Sequence, residues 1–254
     1  MKKYLCFALL VAAGFSFAHA QSLPGTITKI PDQLYRRAAL AIVKVIAGDQ
    51  QHAGAGIIIG KTRNGASVIL TTNALVTGFE NQLSVQLENQ TTATPAQIIT
   101  PKWRNRDLVL LATRASLPGA PALDYGRSDQ LAAGDEAAVL GFPQTSFLSQ
   151  NAGEIVRNTA AKITLNFAIS PGQNGGPLVD RHGRVIGIAL AHGQENGEAL
   201  PIDLVRFVTE DWLRNAPLAE SWHEAKNTKH WYSWALGIVL ISAAGLAIGM
   251  SGVL

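Results

Sequence analysis

From about Leu34 to Pro217 the chain is a succession of short apolar runs interrupted by turn residues. Ile42–Ile46, Gly56–Ile59, Val68–Thr71, Leu83–Leu87, Leu108–Leu111 and Val185–Leu190 are the clearest runs, and Gly, Asn, Asp and Pro stand between them. Glycine supplies positive φ, proline a preset φ, and Asn and Asp side chains cap their own turns, so this punctuation ends strands. Many short strands at such spacing predict antiparallel β-barrels or a sandwich. A segment of roughly 185 residues can bury a substantial core. Leu204 to Trp212 departs from the pattern, because its apolar residues have helical spacing and predict a C-terminal helix of the fold.

The two ends differ from this middle. Lys2 and Lys3 open the chain, Tyr4 to Phe15 is apolar, and Ala18-His19-Ala20 has the small-residue pattern of a cleavage site. Residues 1–20 are read as a secretory signal, too short in its apolar part to span a bilayer comfortably. The only cysteine, Cys6, lies in that signal, so the mature chain is expected to hold no disulfide. That suits a bacterial envelope protein. Residues 21–33 form a polar lead and 218–230 a polar connector. Trp231 to Leu254 is a run of 24 residues without a charge, where about 20 suffice to cross a bilayer as a helix. Trp231, Tyr232 and Trp234 stand where an aromatic belt would lie, just after Lys226, Lys229 and His230. The expectation is a single transmembrane helix over 231–254 in the bacterial inner membrane. The globular domain then faces the periplasm or the outside; a tail processed after export is the alternative. Gly245 and Gly249 make one GxxxG pair, a candidate contact for a homo-oligomer.

The full chain has 21 Lys and Arg against 18 Asp and Glu, and without Lys2 and Lys3 the net charge falls to +1. With no long basic block, no nucleic-acid partner is expected. No His, Cys, Asp and Glu cluster has metal-ligand spacing, so neither a metal nor another cofactor is expected.

One stretch carries the chemical information. Ser170 to Leu190 reads SPGQNGGPLVDRHGRVIGIAL. It resembles the nucleophile loop of the trypsin-like serine proteases, most closely the HtrA/Deg branch, where N-P-G-N-S-G-G-P-L precedes an apolar strand. Pro171, Gly172, Gly175, Gly176, Pro177 and Leu178 fit, and Asn174 stands in the serine position. SVILTTNALV, Ser67 to Val76, is similar to the strand and turn that deliver the base histidine, with Ala74 in its place. GAGIIIG (Gly54 to Gly60), RDLVLLAT (Arg106 to Thr113), SDQLAAGDEAAVLGFP (Ser128 to Pro143) and LPIDLVRFV (Leu200 to Val208) match further family segments in order. The third of the triad residues, Asp107, is kept.

The resemblance implies an all-β fold of two six-stranded antiparallel barrels with a short C-terminal helix over residues 34–217. No PDZ domain of the usual HtrA layout is expected after it. It also implies a degenerate catalytic set, Ala74, Asp107 and Asn174. The triad mechanism needs a hydroxyl, an imidazole to take its proton and a carboxylate to orient the imidazole. An asparagine amide gives no useful nucleophile, and an alanine takes no proton. Gly172 is in place for the oxyanion loop, which either keeps its shape or collapses without the histidine. Gly172, Gln173 and Asn174 on the loop, and Ile188, Ala189, Leu190 and His192 along the cleft strand, are the candidate binding residues. They would receive an extended peptide by strand addition. His182 reads as a turn residue, and neither it nor His52 sits in the base motif. The expected function is a membrane-anchored pseudoprotease that binds a peptide or protein partner of the cell envelope. The alternatives are a weak or unconventional serine-type peptidase and a structural subunit of an envelope membrane complex.

Overall fold

The computed structural model of the chain describes residues 31–215, apart from 49–51, 63–64, 89, 100–106, 120, 122, 144–146 and 193–194. The expected signal, connector and membrane helix lie outside them. Among the described residues no helix is long and apolar enough to cross a membrane.

Twelve strands form two closed six-stranded barrels, as the resemblance implies. The first holds β1 (Ile42–Ala47), β2 (Ala53–Lys61), β3 (Ser67–Thr72), β4 (Leu83–Leu87), β5 (Thr94–Ile98) and β6 (Leu108–Thr113). Its order is β1-β2-β3-β6-β5-β4, and the antiparallel pairing of β1 with β4, Val45 opposite Val85, closes it. The second holds β7 (Glu136–Gly141), β8 (Ser149–Asn158), β9 (Ile163–Leu165), β10 (Pro177–Asp180), β11 (Val185–Leu190) and β12 (Glu198–Pro201), in the order β10-β11-β12-β9-β8-β7. Closure removes the unpaired edges that would otherwise invite association.

Continuous apolar runs arise because some strands are covered on both sides. Every residue of β3, β6 and β11 is buried. In β6, Val109 and Leu111 point into the first barrel with Ile58 and Ile69. Leu108 and Leu110 point the other way, into a core shared with Leu140, Val185 and Ile188 of the second barrel. In β11, Ile186 and Ala189 fill the second barrel while Val185 and Ile188 join the shared core. Successive side chains of a strand face opposite ways, so a strand between a barrel interior and a barrel interface must be apolar at every position.

The C-terminal helix predicted over 204–212 runs as α3 over Ile202–Asn215. A second helix, α1 (Asp32–Ala41), was not expected. Its ten residues are marginal alone; tertiary contacts hold it. Ala38 and Ala41 are buried, and Leu34 and Tyr35 pack on the shared core. The Tyr35 hydroxyl donates to Glu88, just after β4, and the same carboxylate accepts the Leu148 N–H at 3.0 Å, just before β8. Burial, then the Glu88 carboxylate, pushes the Tyr35 hydroxyl up to about 12.

Candidate functional site

Three elements converge on the matched positions. β3 ends at Thr72 and turns at once into a one-turn helix, α2 (Asn73–Val76), which presents Ala74 as an exposed residue. The pairing of Thr72 with Leu108 brings the start of β6, and Asp107 before it, alongside that turn. The Asn73 N–H donates to the Asp107 carbonyl at 3.0 Å, and the Ala74 N–H to Asp107 Oδ1 at 2.8 Å. Asp107 is the only non-glycine with positive φ among the described residues, at 49°. Short polar side chains tolerate that region best, and the two amide contacts hold it there. Burial raises the carboxyl above its usual range, against the pull of the Ala74 amide and the charge of His192, which lower it.

The third element is the glycine loop. Pro171–Gln173 is a single 3-10 turn capped by Ser170, whose side chain accepts from the Gln173 backbone. Gln173 Oε1 in return accepts the Ser170 N–H at 3.1 Å, and Gln173 Nε2 donates to the Val139 carbonyl at 3.2 Å. Gln173 is fully buried. The turn continues into Asn174, whose N–H donates to the Pro171 carbonyl at 3.0 Å. Its carbonyl accepts the Ala55 N–H of β2 at 2.7 Å, and its Oδ1 accepts the Ala191 N–H, just past β11, at 3.2 Å. Gly175 follows at φ 82°, and a Cβ there would strike the Ala55 carbonyl and the Thr71 hydroxyl, so only glycine fits.

In the loop that matches the family's oxyanion loop, the Asn174 N–H is bonded to the Pro171 carbonyl of its own turn, whereas an oxyanion hole needs backbone donors aimed at the substrate oxygen. The Asn174 side chain is only 9% exposed and is committed to Ala191. Ser170, the nearest hydroxyl in sequence, serves as the cap of the turn.

The candidate cleft residues divide. Asn174 and His192 lie at the site, His192 exposed and within electrostatic reach of Asp107. Gln173, Ile188 and Ala189 have fully buried side chains, and the Ala189 N–H and carbonyl are both taken by the glycine loop. Their side chains pack in the core, so any contact they make with an extended peptide would be through the backbone. Leu190 is likewise buried in the shared core. The Ala191 amide, which secures Asn174, was not anticipated; backbone groups leave no mark in side-chain sequence. His52 packs on Phe79, ring centroids 4.7 Å apart, with Nε2 3.2 Å from the Leu75 carbonyl. His182 lies in the exposed β10–β11 turn. A groove of about 520 Å³ on the second barrel, lined by Tyr125, Arg127, Asp180 and Arg184 among others, contains none of the matched positions. Two of its arginines are already paired, with Asp129 and Asp180. No group of three or more metal-ligating side chains occurs among the described residues.

Two closed barrels, with a glycine loop packed near the turn that ends β3, define a chymotrypsin-type peptidase scaffold. Residues 54–188, just over half of the chain, match the trypsin-like peptidase domain family, and the chain belongs to that family. Its similarity to a probable periplasmic serine endoprotease, DegP-like, of Hahella chejuensis is 27% identity over 188 residues, covering 68% of this chain and 38% of that protein. A serine protease HtrA-like of Staphylococcus epidermidis is 26% identical over 181 residues, covering 62% of this chain and 30% of the relative. Among solved structures, the HtrA-type protease AlgW with tripeptide superposes with a TM-score of 0.59 at 28% identity, covering 72% of this chain and 63% of that one. The chain thus stands with the HtrA branch while spanning well under half the length of these two curated relatives.

Proposed function

We propose that this protein is a pseudoprotease of the cell envelope, anchored through residues 231–254, which binds a peptide or protein partner in its former substrate cleft without cutting it. The observation that carries this reading is Asn174. It occupies the nucleophile position, its amide closes the oxyanion loop onto Pro171, and its side chain is tied to Ala191. Ala74 at the base position leaves no imidazole on the turn that holds Asp107. Losing one triad member already removes most of the rate, and the members act as a unit. The HtrA-like relatives are named serine proteases, one of them periplasmic, which supports an exported domain. The backbone at Ala191 and His192, beyond the last ladder pair of β11 at Leu190 and Glu198, is where an extended peptide would add. The purified protein is expected to stay unlabelled by a fluorophosphonate probe and to leave peptide substrates intact by mass spectrometry. Covalent labelling of the wild-type protein would overturn the proposal in favour of an unconventional serine peptidase.

A further inference from the structure

We propose that the recess over Ala74 is a subsite for a basic side chain of the bound peptide, with Asp107 as its counter-ion; this rests on the peptide-cleft reading above. Ala74 is exposed and its side chain ends at Cβ, so nothing on its own turn covers the carboxylate that its amide grips at 2.8 Å. Among the described residues no Lys or Arg forms a salt bridge with Asp107. The charged group acting on it is His192, just past the cleft strand. A half-buried carboxylate beside an exposed alanine, with one amide donor from its neighbour and no cation bonded to it among the described residues, is suited to a ligand that brings both charge and N–H donors. Lys, Arg and protonated His side chains do so. An acidic or apolar side chain would leave the carboxylate desolvated and unpaired, which is costly.

The test uses the full chain in detergent micelles at about pH 8, where carboxylates are ionised. The probes are fluorescent hexapeptides in which each position in turn carries Lys, norleucine or Glu, read by anisotropy. One position should favour Lys over norleucine by about tenfold, the scale of one charge-assisted hydrogen bond, and should disfavour Glu. Asp107→Asn keeps an oxygen for the Ala74 amide and tolerates positive φ, so the fold survives, yet the Lys preference should vanish. Ala74→His supplies an intramolecular base in the recess and should abolish the preference too. Equal binding of Lys and norleucine peptides at every position, or a Lys preference that persists in Asp107→Asn, would sink the subsite while leaving the cleft reading intact. If no peptide binds at all, both fail together.

Discussion

At the residue scale, Asp107 and Asn174 play opposite parts. Asp107 is a group whose pKa is raised on folding, chiefly by burial. The folded state therefore holds its proton more tightly than the unfolded chain does. The ionised carboxylate therefore costs stability, and that cost develops as pH rises from the unfolded value, about 3.9, through the folded one. Asp107→Asn is expected to melt higher than wild type at pH 7, with the gain shrinking as pH falls through the raised folded pKa and gone by about pH 4, the unfolded value. A thermal denaturation series in pH checks this, and a lower melting temperature at neutral pH would mean that the Ala74 contact outweighs burial. Asn174 is stabilising where it sits. Asn174→Ala strands the partly buried Ala191 N–H, and loss of one partner of such a hydrogen bond costs about 1 kcal/mol, measurable by urea denaturation. Asn174→Asp keeps an acceptor for that N–H and offers the control.

At the scale of elements, the turn Ser170–Gln173 decides what the loop can do. Ser170 and Gln173 cap one another, Gln173 reaches Val139 on β7, and Asn174 closes onto Pro171. Restoring side chains alone leaves that backbone arrangement in place. Ala74→His with Asn174→Ser restores all three triad side-chain types, and it also cuts the Asn174 tether to Ala191. Slow labelling by a fluorophosphonate is expected for the double variant and none for either single one, because a serine without a base is not activated. A folded double variant that stays unlabelled would show that the capped turn, and not the missing side chains, is the dominant block. A second element-level test concerns α3. Asp203 in its first turn accepts from the Ser128 amide and hydroxyl and the Asp129 amide. Burial pushes its carboxyl up, but those donors outweigh it and leave the carboxyl below its usual range. Its stabilisation is present above the unfolded pKa and is lost as pH falls, so Ser128→Ala should destabilise at pH 7 and matter less in acid. Equal effects of Ser128→Ala at both pH values would contradict this.

At the scale of the whole molecule, the barrels are joined by a shared apolar core and by α1, whose Tyr35 meets Glu88, itself bonded to Leu148 just before β8 of the second barrel. The proposed anchor lies apart from this unit in sequence. Deleting residues 231–254 should release a folded domain from membranes, tested by fractionation after a carbonate wash; a truncated domain that still pellets would require another attachment. β1 to β4, β6 and β11 were legible in the sequence, β6 and β11 most plainly because a strand covered on both sides must be apolar throughout. β8 was not, since Ile155 is its only buried residue. α1 was not either, because ten residues carry too little helical signal until a core lies beneath them. The identities at positions 74, 107 and 174 were determined by the sequence alone, since absent chemistry is visible wherever a motif can be aligned. The state of the loop was decided by tertiary structure. Whether the Asn174 amide faces a ligand or Pro171, and whether Gln173, Ile188 and Ala189 face the cleft or the core, depends on backbone hydrogen bonds and on the packing of one barrel against another. Those are long-range contacts, and no local pattern of residues encodes them.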